Sequence, residues 1–429
     1  MSICVLGTPF KLRKSNKPLP APLPILTSLK KIGDPYSYGN FSLDHCFAAA
    51  EAAPTGSIDD FKAASKFLFT YQGSSATFTS YRRELERFLQ WSWRIEKRSV
   101  FTLKREDIER FIRFVIAPPT DWIGEKNAPR VIRKGDDEHP NPEWRPFVQT
   151  QRRKGNIDTA ASYQPSQASI RATFAVLSSF YDYLTEEDLV ESNPVALIRQ
   201  KSKFLKRDQD QAVVRRITNL QWDYVIETAE QLADLHPKIH ERTLFVMNCL
   251  LAMYLRISEL VADERSTPLM GDFRKDQDSH WWFHVTGKGN KDRTIAVSNA
   301  MMRALRRYRL SRGLSALPTL GEKNVLIPKA RGNGPINSTR QIRRIVQDCF
   351  DAAYARMKEA GLEDDAHDLR AATVHWLRHT GISEDVKLRP REHVRDDAGH
   401  ASMATTDRYI ESDRRERHAS GRKKPIKDL

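Results

Sequence analysis

From about Ser57 onward, apolar positions fall mostly at three- and four-residue steps, the repeat of one buried helix face. Phe78, Tyr81, Leu85, Phe88 and Leu89 mark one such face, with Arg82, Arg83, Glu84 and Glu86 toward the other side. Ile108, Phe111, Ile112 and Val115 mark a second helix, ended by Pro118-Pro119. Ile170, Phe174, Leu177, Phe180, Tyr181 and Leu184 mark a third, after which the chain turns at Ser192-Asn193-Pro194. A small helical domain over residues 59–199 is the expectation. Residues 1–58 hold no sustained period and include the run PLPAPLPILT, so they read as an arm, extended or partly disordered. Residues 117–166, rich in Pro, Gly, Asp, Arg and Lys, interrupt the helical pattern. They read as an insertion, either an added DNA or protein contact or a tolerated surface loop.

A second domain follows a polar joint. Residues 200–211, QKSKFLKRDQDQ, suit an exposed linker, and helices resume with Trp222, Val225, Ile226 and Ala229 facing inward. The period then shortens. WWFHV at 281–285 and TIAV at 294–297 are β-type runs joined by TGKGNKDR, whose glycines and asparagine predict a hairpin turn with Lys288 near its tip. The fold class is therefore mainly α with a small β-sheet (α+β).

Charge narrows the partners. The chain of 429 residues carries 70 Lys and Arg against 55 Asp and Glu, a formal +15, with a pI near 9.6. That balance favours a polyanion, of which nucleic acid is the commonest. Cys4, Cys46, Cys249 and Cys349 form no C-x-x-C pair, which argues against a disulfide framework or a zinc knuckle. The longest apolar run, at 244–255, contains Asn248 and is well short of the ~20 residues that cross a bilayer. At the N-terminus the basic residues follow the apolar ones, the reverse of a secretory signal. A cytoplasmic protein with no membrane partner is expected.

Candidate chemistry gathers toward the C-terminus. Arg256 sits in the apolar stretch 244–261, where a guanidinium is costly to bury unless paired, and Glu259 lies three residues on. The two could be a structural ion pair or part of an anion site. His375 and Arg378, also three apart, would project from one helix face toward a common point. Gly399-His400 precedes Tyr409, and an unbroken helix would put His400 and Tyr409 on opposite sides. A turn must intervene if both serve one site, and Thr405-Thr406 is a plausible new helix start. G-K-G at Lys288 lacks the spacing of a phosphate-binding P-loop. The acidic runs at 186–188 and 363–365 read as solvated faces. His236 and His240, with Pro237 between them, read as a loop or helix start rather than metal ligands.

Taken singly these residues have ordinary readings. Their order does not: Arg256 in LRISEL, Lys288 in TGKGNKDR, His375 and Arg378 in HWLRHT, His400 in AGH, then Tyr409. This constellation resembles the catalytic domain of the tyrosine recombinases, or phage integrase family, over roughly residues 212–410. The helical segment at 59–199 looks like that family's core-binding domain. One departure is Met253-Tyr254, where the family often has Thr-Gly.

The resemblance implies a site-specific recombinase acting on double-stranded DNA. Tyr409 would attack a scissile phosphodiester, giving a 3′-phosphotyrosyl link and a free 5′-hydroxyl. Arg256 and Arg378 would clamp the phosphate oxygens, His400 would add a hydrogen bond, His375 would help accept the tyrosine proton, and Lys288 would protonate the leaving oxygen. Glu259 would orient Arg256. No nucleotide cofactor and no metal are expected. Arg82, Arg83, Lys201, Lys203, Lys206, Arg207, Lys291 and Arg293 are candidate DNA contacts. The expected assembly is a homotetramer on paired sites, with accessory DNA-binding proteins as further partners, in integration, excision or resolution of a mobile element or plasmid. A type IB topoisomerase-like relaxing enzyme and a non-catalytic DNA-binding accessory protein are the alternatives. The tail, 411–429, would dock on a neighbouring subunit or lie along DNA.

Overall fold

The computed structural model describes residues 22–26, 53–149 except 135–136, 163–198 except 197, 216–287 except 265, 292–407 except 333, Tyr409 and 421–422. The chain divides into two compact units, Met1–Gln209 and Asp210–Leu429. Among the described residues no helix is long and apolar enough to cross a membrane.

In the first unit the apolar stripes become α1 (Ser57–Phe69), α2 (Ser75–Trp91), α3 (Arg105–Ile116) and α4 (Gln167–Glu186). Phe78, Leu85, Phe88, Phe111, Ile112, Phe174 and Phe180 meet in one core. The side of α2 away from this stripe is not left to water, because Glu84 and Glu86 are also buried. Glu86 Oε1 accepts the backbone N–H groups of Ile25 and Leu26, at 2.6 and 3.0 Å, and also pairs with Arg130. Residues 22–26 are thus tied down on α2 by a buried carboxylate, where the sequence suggested a loose arm.

The described residues of the insertion are likewise built into the unit rather than looped over its surface. Within it β1 (Ile123–Gly124) pairs in parallel with β4 (Phe147–Val148), and β2 (Val131–Lys134) forms a hairpin with β3 (Asp137–Pro140). Trp122 and Phe147 are fully buried in the unit's core. Arg87 on α2 donates to Pro146 O from Nε and Nη2, at 2.8 and 2.7 Å, and its guanidinium lies 4.5 Å from the centre of the Phe147 ring. Apolar residues without a period can still reach a core when polar anchors hold their backbone.

The second unit opens with antiparallel α5 (Asn219–Leu235) and α6 (Pro237–Ala252). Thr218 caps α5 by accepting from Gln221 N, and Pro237 starts α6, where its missing N–H costs nothing. The helix stops at Ala252, so Arg256 lies in extended backbone before the 3-10 turn Ile257–Leu260. A three-stranded antiparallel sheet follows in the order β5 (Phe273–Lys275), β6 (Trp281–Thr286), β7 (Asp292–Ala296). Period-2 alternation sends Phe283, Val285 and Ile295 into the core. The third strand carries no signal of its own, since FRK is too short to show a period. Then come α7 (Asn299–Ser311), α8 (Thr339–Glu359), α9 (Val374–Leu388), α10 (Arg391–Ala398) and α11 (Met403–Asp407).

Candidate active site

α9 presents three polar side chains on one face: His375, Arg378 and His379, at i, i+3 and i+4. The helix sits close to the end of α6. A Cβ at Gly381 would stand 2.2 Å from Leu251 O and 3.0 Å from Tyr254 Cδ1, so only glycine fits. That approach brings Arg378 under the backbone of the Arg256 turn, where Arg378 Nη1 donates to Tyr254 O.

The arrangement is fixed at the C-terminal end of α10. Three successive carbonyls there each accept from an arginine of a different segment: Asp397 O from Arg293 Nε at 3.0 Å, Ala398 O from Arg378 Nη2 at 2.6 Å, and Gly399 O from Arg256 Nη2 at 3.1 Å. Helix C-termini leave carbonyls without intrahelical partners and carry partial negative charge, so guanidinium groups suit them twice over. Gly399 itself has φ 64°. A Cβ there would stand 2.8 Å from Arg293 Cδ, so both conformation and space require glycine.

Glu259 locks two of these arginines. Arg293 forks onto it, with Nη1 to Oε1 at 2.7 Å and Nη2 to Oε2 at 2.9 Å, while Arg256 donates from N at 2.8 Å and from Nη1 at 3.0 Å. Burial works against the charged carboxylate, but the Arg293 fork and the Arg256 contacts outweigh it and hold its pKa below the usual value. The pairing of Arg256 with Glu259 is as the sequence suggested. The place of Arg293 is a correction: the sequence puts it in the hairpin loop, but pairing extends to Thr286 and Asp292, which puts Arg293 inside β7. Its side chain is only 10% exposed and its guanidinium is spent on Glu259 and Asp397. Arg256 is 32% exposed and keeps an open side.

Beyond Gly399 the chain turns at Ala401-Ser402 and re-enters a helix at Met403, ahead of the expected Thr405-Thr406 start. The turn has the expected effect. His400 and Tyr409 come to the same side, their rings near-parallel at 5.7 Å, and His400 Nδ1 lies 2.9 Å from Thr406 Oγ1. His379 also lies beside the Tyr409 ring, at 5.3 Å, and in turn meets His375 edge-on at 4.6 Å. The sequence reading passed over His379, although its i+4 spacing from His375 in HWLRHT was a usable signal. His379 Nδ1 is buried with no hydrogen-bond partner among the described groups.

Electrostatics follow from this crowding. Burial, then Arg378, Arg256 and Arg293, pull His400 down to about 4. Burial, then His375 and Arg378, do the same to His379, also to about 4. His375 is at the open rim, and partial desolvation, Arg378 and Arg256 lower its pKa too. Burial first and then Arg256 bring Arg378 down to about 10, still charged at neutral pH. The result is two fixed cations beside three neutral imidazoles and a phenol. Such a site favours an anion, which would relieve the repulsion between Arg256 and Arg378.

Other expected positions lie elsewhere. Lys288, Lys291, Lys201, Lys203, Lys206 and Arg207 are outside the described residues, as is nearly all of the tail. Arg82 and Arg83 belong to the first unit. Arg82 lies over the Phe78 ring at 5.6 Å, with burial and Arg130 lowering its pKa to about 10. Arg83 Nε donates to Glu84 Oε1 at 2.8 Å. Among the described residues, Asp276, Asp278 and His280 in the exposed β5–β6 turn are close enough to share a cation, but Asp276 already takes Trp282 Nε1 at 2.7 Å.

Residues 215–416 match the family model described as the phage integrase family. The chain is 30% identical over 258 residues to a tyrosine recombinase XerC of Nitrobacter winogradskyi, covering 57% of this chain and 68% of that protein. It is 25% identical over 251 residues to a tyrosine recombinase XerC of Chlorobaculum parvum, covering 56% and 68%. A solved complex of XerH site-specific recombinase bound to palindromic difH substrate, in a post-cleavage state, is similar in fold, with TM-score 0.53 and 13% identity over 86% of this chain and 88% of that one.

Proposed function

Because this chain belongs to the phage integrase family of tyrosine recombinases, we propose that it cuts and rejoins double-stranded DNA at specific sites through a 3′-phosphotyrosyl link on Tyr409. The observation that carries the reading is the convergence of Arg256, Arg378, His375 and His400 on the surroundings of Tyr409, from segments far apart in sequence. The names of the relatives and the DNA-bound state of the similar fold support the substrate class.

A phosphodiester between the two guanidinium groups would set its non-bridging oxygens against fixed donors, where negative charge grows during attack. Tyr409 Oη forms a bond to phosphorus as the bond from phosphorus to the 5′-oxygen breaks. A phenol is a weak nucleophile at neutral pH, so its proton must leave as it attacks, and His375, held neutral, is the acceptor. With the Thr406 hydroxyl donating to His400 Nδ1, His400 Nε2 carries a proton toward the phosphate. Lys288 gives its proton to the departing 5′-oxygen. The reverse steps with another 5′-hydroxyl complete strand exchange, and the phosphotyrosyl bond keeps the backbone energy without nucleotide hydrolysis. In this reading residues 59–199 act as the core-binding domain, residues 212–410 as the catalytic domain, and the active assembly is a tetramer on two sites.

A nicked substrate built from the DNA flanking the gene tests this, because cleavage then traps the covalent adduct. The parent should give a denaturant-resistant protein–DNA band, and Tyr409→Phe should bind the same DNA without giving one. Arg256→Ala or Arg378→Ala should each slow cleavage roughly 10²-fold or more, the scale for one transition-state donor. An adduct formed by the Tyr409→Phe protein would defeat the assignment.

A further inference from the structure

Tyr254 is a large aromatic residue with φ 49°, in the left-handed region that bulky side chains seldom occupy. It stands two residues before Arg256, and a glycine would take this conformation without steric cost. The tyrosine brings something glycine lacks. Its hydroxyl donates to Asp385 on α9 and accepts from Arg389 Nη1 at 3.1 Å. Burial first, with the Asp385 contact, raises the pKa of the phenol, which keeps it a donor. Arg389 Nη2 continues to Asp397 Oδ2 at 2.6 Å, and Asp397 Oδ1 accepts Ala296 N from β7 at 3.2 Å. The ring packs in a small cluster with Ile382, Val394 and Ala398, with Tyr409 at its edge.

The backbone consequence is specific. The left-handed turn directs Tyr254 O at Arg378 Nη1, while Arg378 Nη2 is held by Ala398 O. Strained backbone persists only where its surroundings over-determine it. Here a chain of contacts from Tyr254 through Asp385 and Arg389 to Asp397 joins the Arg256 turn, α9 and the end of α10. We propose that Tyr254 is a positioning residue for strand cleavage: its latched phenol holds the left-handed turn that fixes Arg378 and Arg256 relative to one another at the phosphate. The inference rests on the proposed DNA cleavage, and acts through the two arginines rather than on substrate.

Tyr254→Phe removes the latch and keeps the ring, so the cluster stays filled. Cleavage of the nicked substrate at saturating protein should slow by about tenfold or more, since misplacement by ~1 Å can cost 10²-fold. Affinity for uncleaved DNA and the melting temperature should stay at parental values, a separation that a purely packing role would not produce. Asp385→Ala removes the same hydrogen bond together with the Asp385–Arg389 pair and should slow cleavage at least as much, and the double variant should lose less than the sum of the two, because the Tyr254–Asp385 link can be broken only once. Should Tyr254→Phe prove unstable, Asp385→Leu, which leaves the tyrosine in place and offers its hydroxyl no acceptor, carries the same test. Parental cleavage in both Tyr254→Phe and Asp385→Leu, or additive losses in the double variant, would overturn the inference while leaving the proposed reaction standing. Absence of adduct in the parent would instead remove the reaction itself.

Discussion

Replacing Glu259 by glutamine keeps the side chain's shape and removes its charge, and the outcome can be worked from its partners. The Glu259 side chain is 2% exposed and accepts from Arg293 Nη1 and Nη2 and from Arg256 N and Nη1. Glutamine offers one acceptor oxygen and turns an NH2 toward N–H groups that need acceptors. Arg293, 10% exposed, cannot swing into water to compensate. Breaking one side of a buried ion pair costs about 3–5 kcal/mol. At about 2–4 °C per kcal/mol for a unit of this size, the second unit should melt roughly 6–20 °C lower. Arg256 is more open and should lose its aim rather than strain the fold, so cleavage falls as well.

Calorimetric melting of the full chain reads the first effect, and adduct formation well below both transitions reads the second. A double variant, Glu259→Gln with Arg293→Gln, also removes the unpaired cation. It should recover part of the melting temperature and none of the cleavage. If Glu259→Gln melts within about 2 °C of the parent, the buried charge cluster does not hold this unit together and the reasoning fails.

Three further outcomes are expected. Arg293→Gln should leave the slope of log binding constant against log salt unchanged, whereas loss of a true phosphate contact would flatten it by about 0.9. Trp122→Ala should destabilise the first unit by about 3–5 kcal/mol in denaturant unfolding, because the indole is fully buried against the edge of Phe114; a change of only a few tenths would return 117–166 to the status of a surface loop. His379 and His400 titrate near 4 in the folded chain and near 6.5 when unfolded, so between those values the unfolded chain binds more protons. Their stabilising contribution is therefore complete above about pH 6.5 and lost progressively as pH falls toward 4. The parent should lose stability over that window relative to a His379→Gln/His400→Gln variant, and parallel pH curves would contradict the folded values.

Much of this molecule can be read from local sequence because local rules generate it. The stripes of α2, α3 and α4 follow from helical period, the β6–β7 hairpin from β-type runs around glycines, and the Arg256–Glu259 pair and the shared face of His375 and Arg378 from three-residue spacing. The ordered set ending in Tyr409 carried the family for the same reason, since it needs only identity and order. What spacing leaves open is which backbone comes near which side chain. Glu86 reads only as a residue on the far side of the α2 stripe until residues 22–26 and Arg130 close over it. Arg293 reads as a loop residue until two more ladder pairs draw it into β7 and Glu259 takes its fork. The three α10 carbonyls gather arginines from β7, α9 and the Arg256 turn, and Tyr254 holds a glycine-like backbone through Asp385 and Arg389. Each of these depends on orphan polar groups finding partners from distant parts of the chain, and such long-range satisfaction of hydrogen bonds and charge is settled only when the tertiary structure forms.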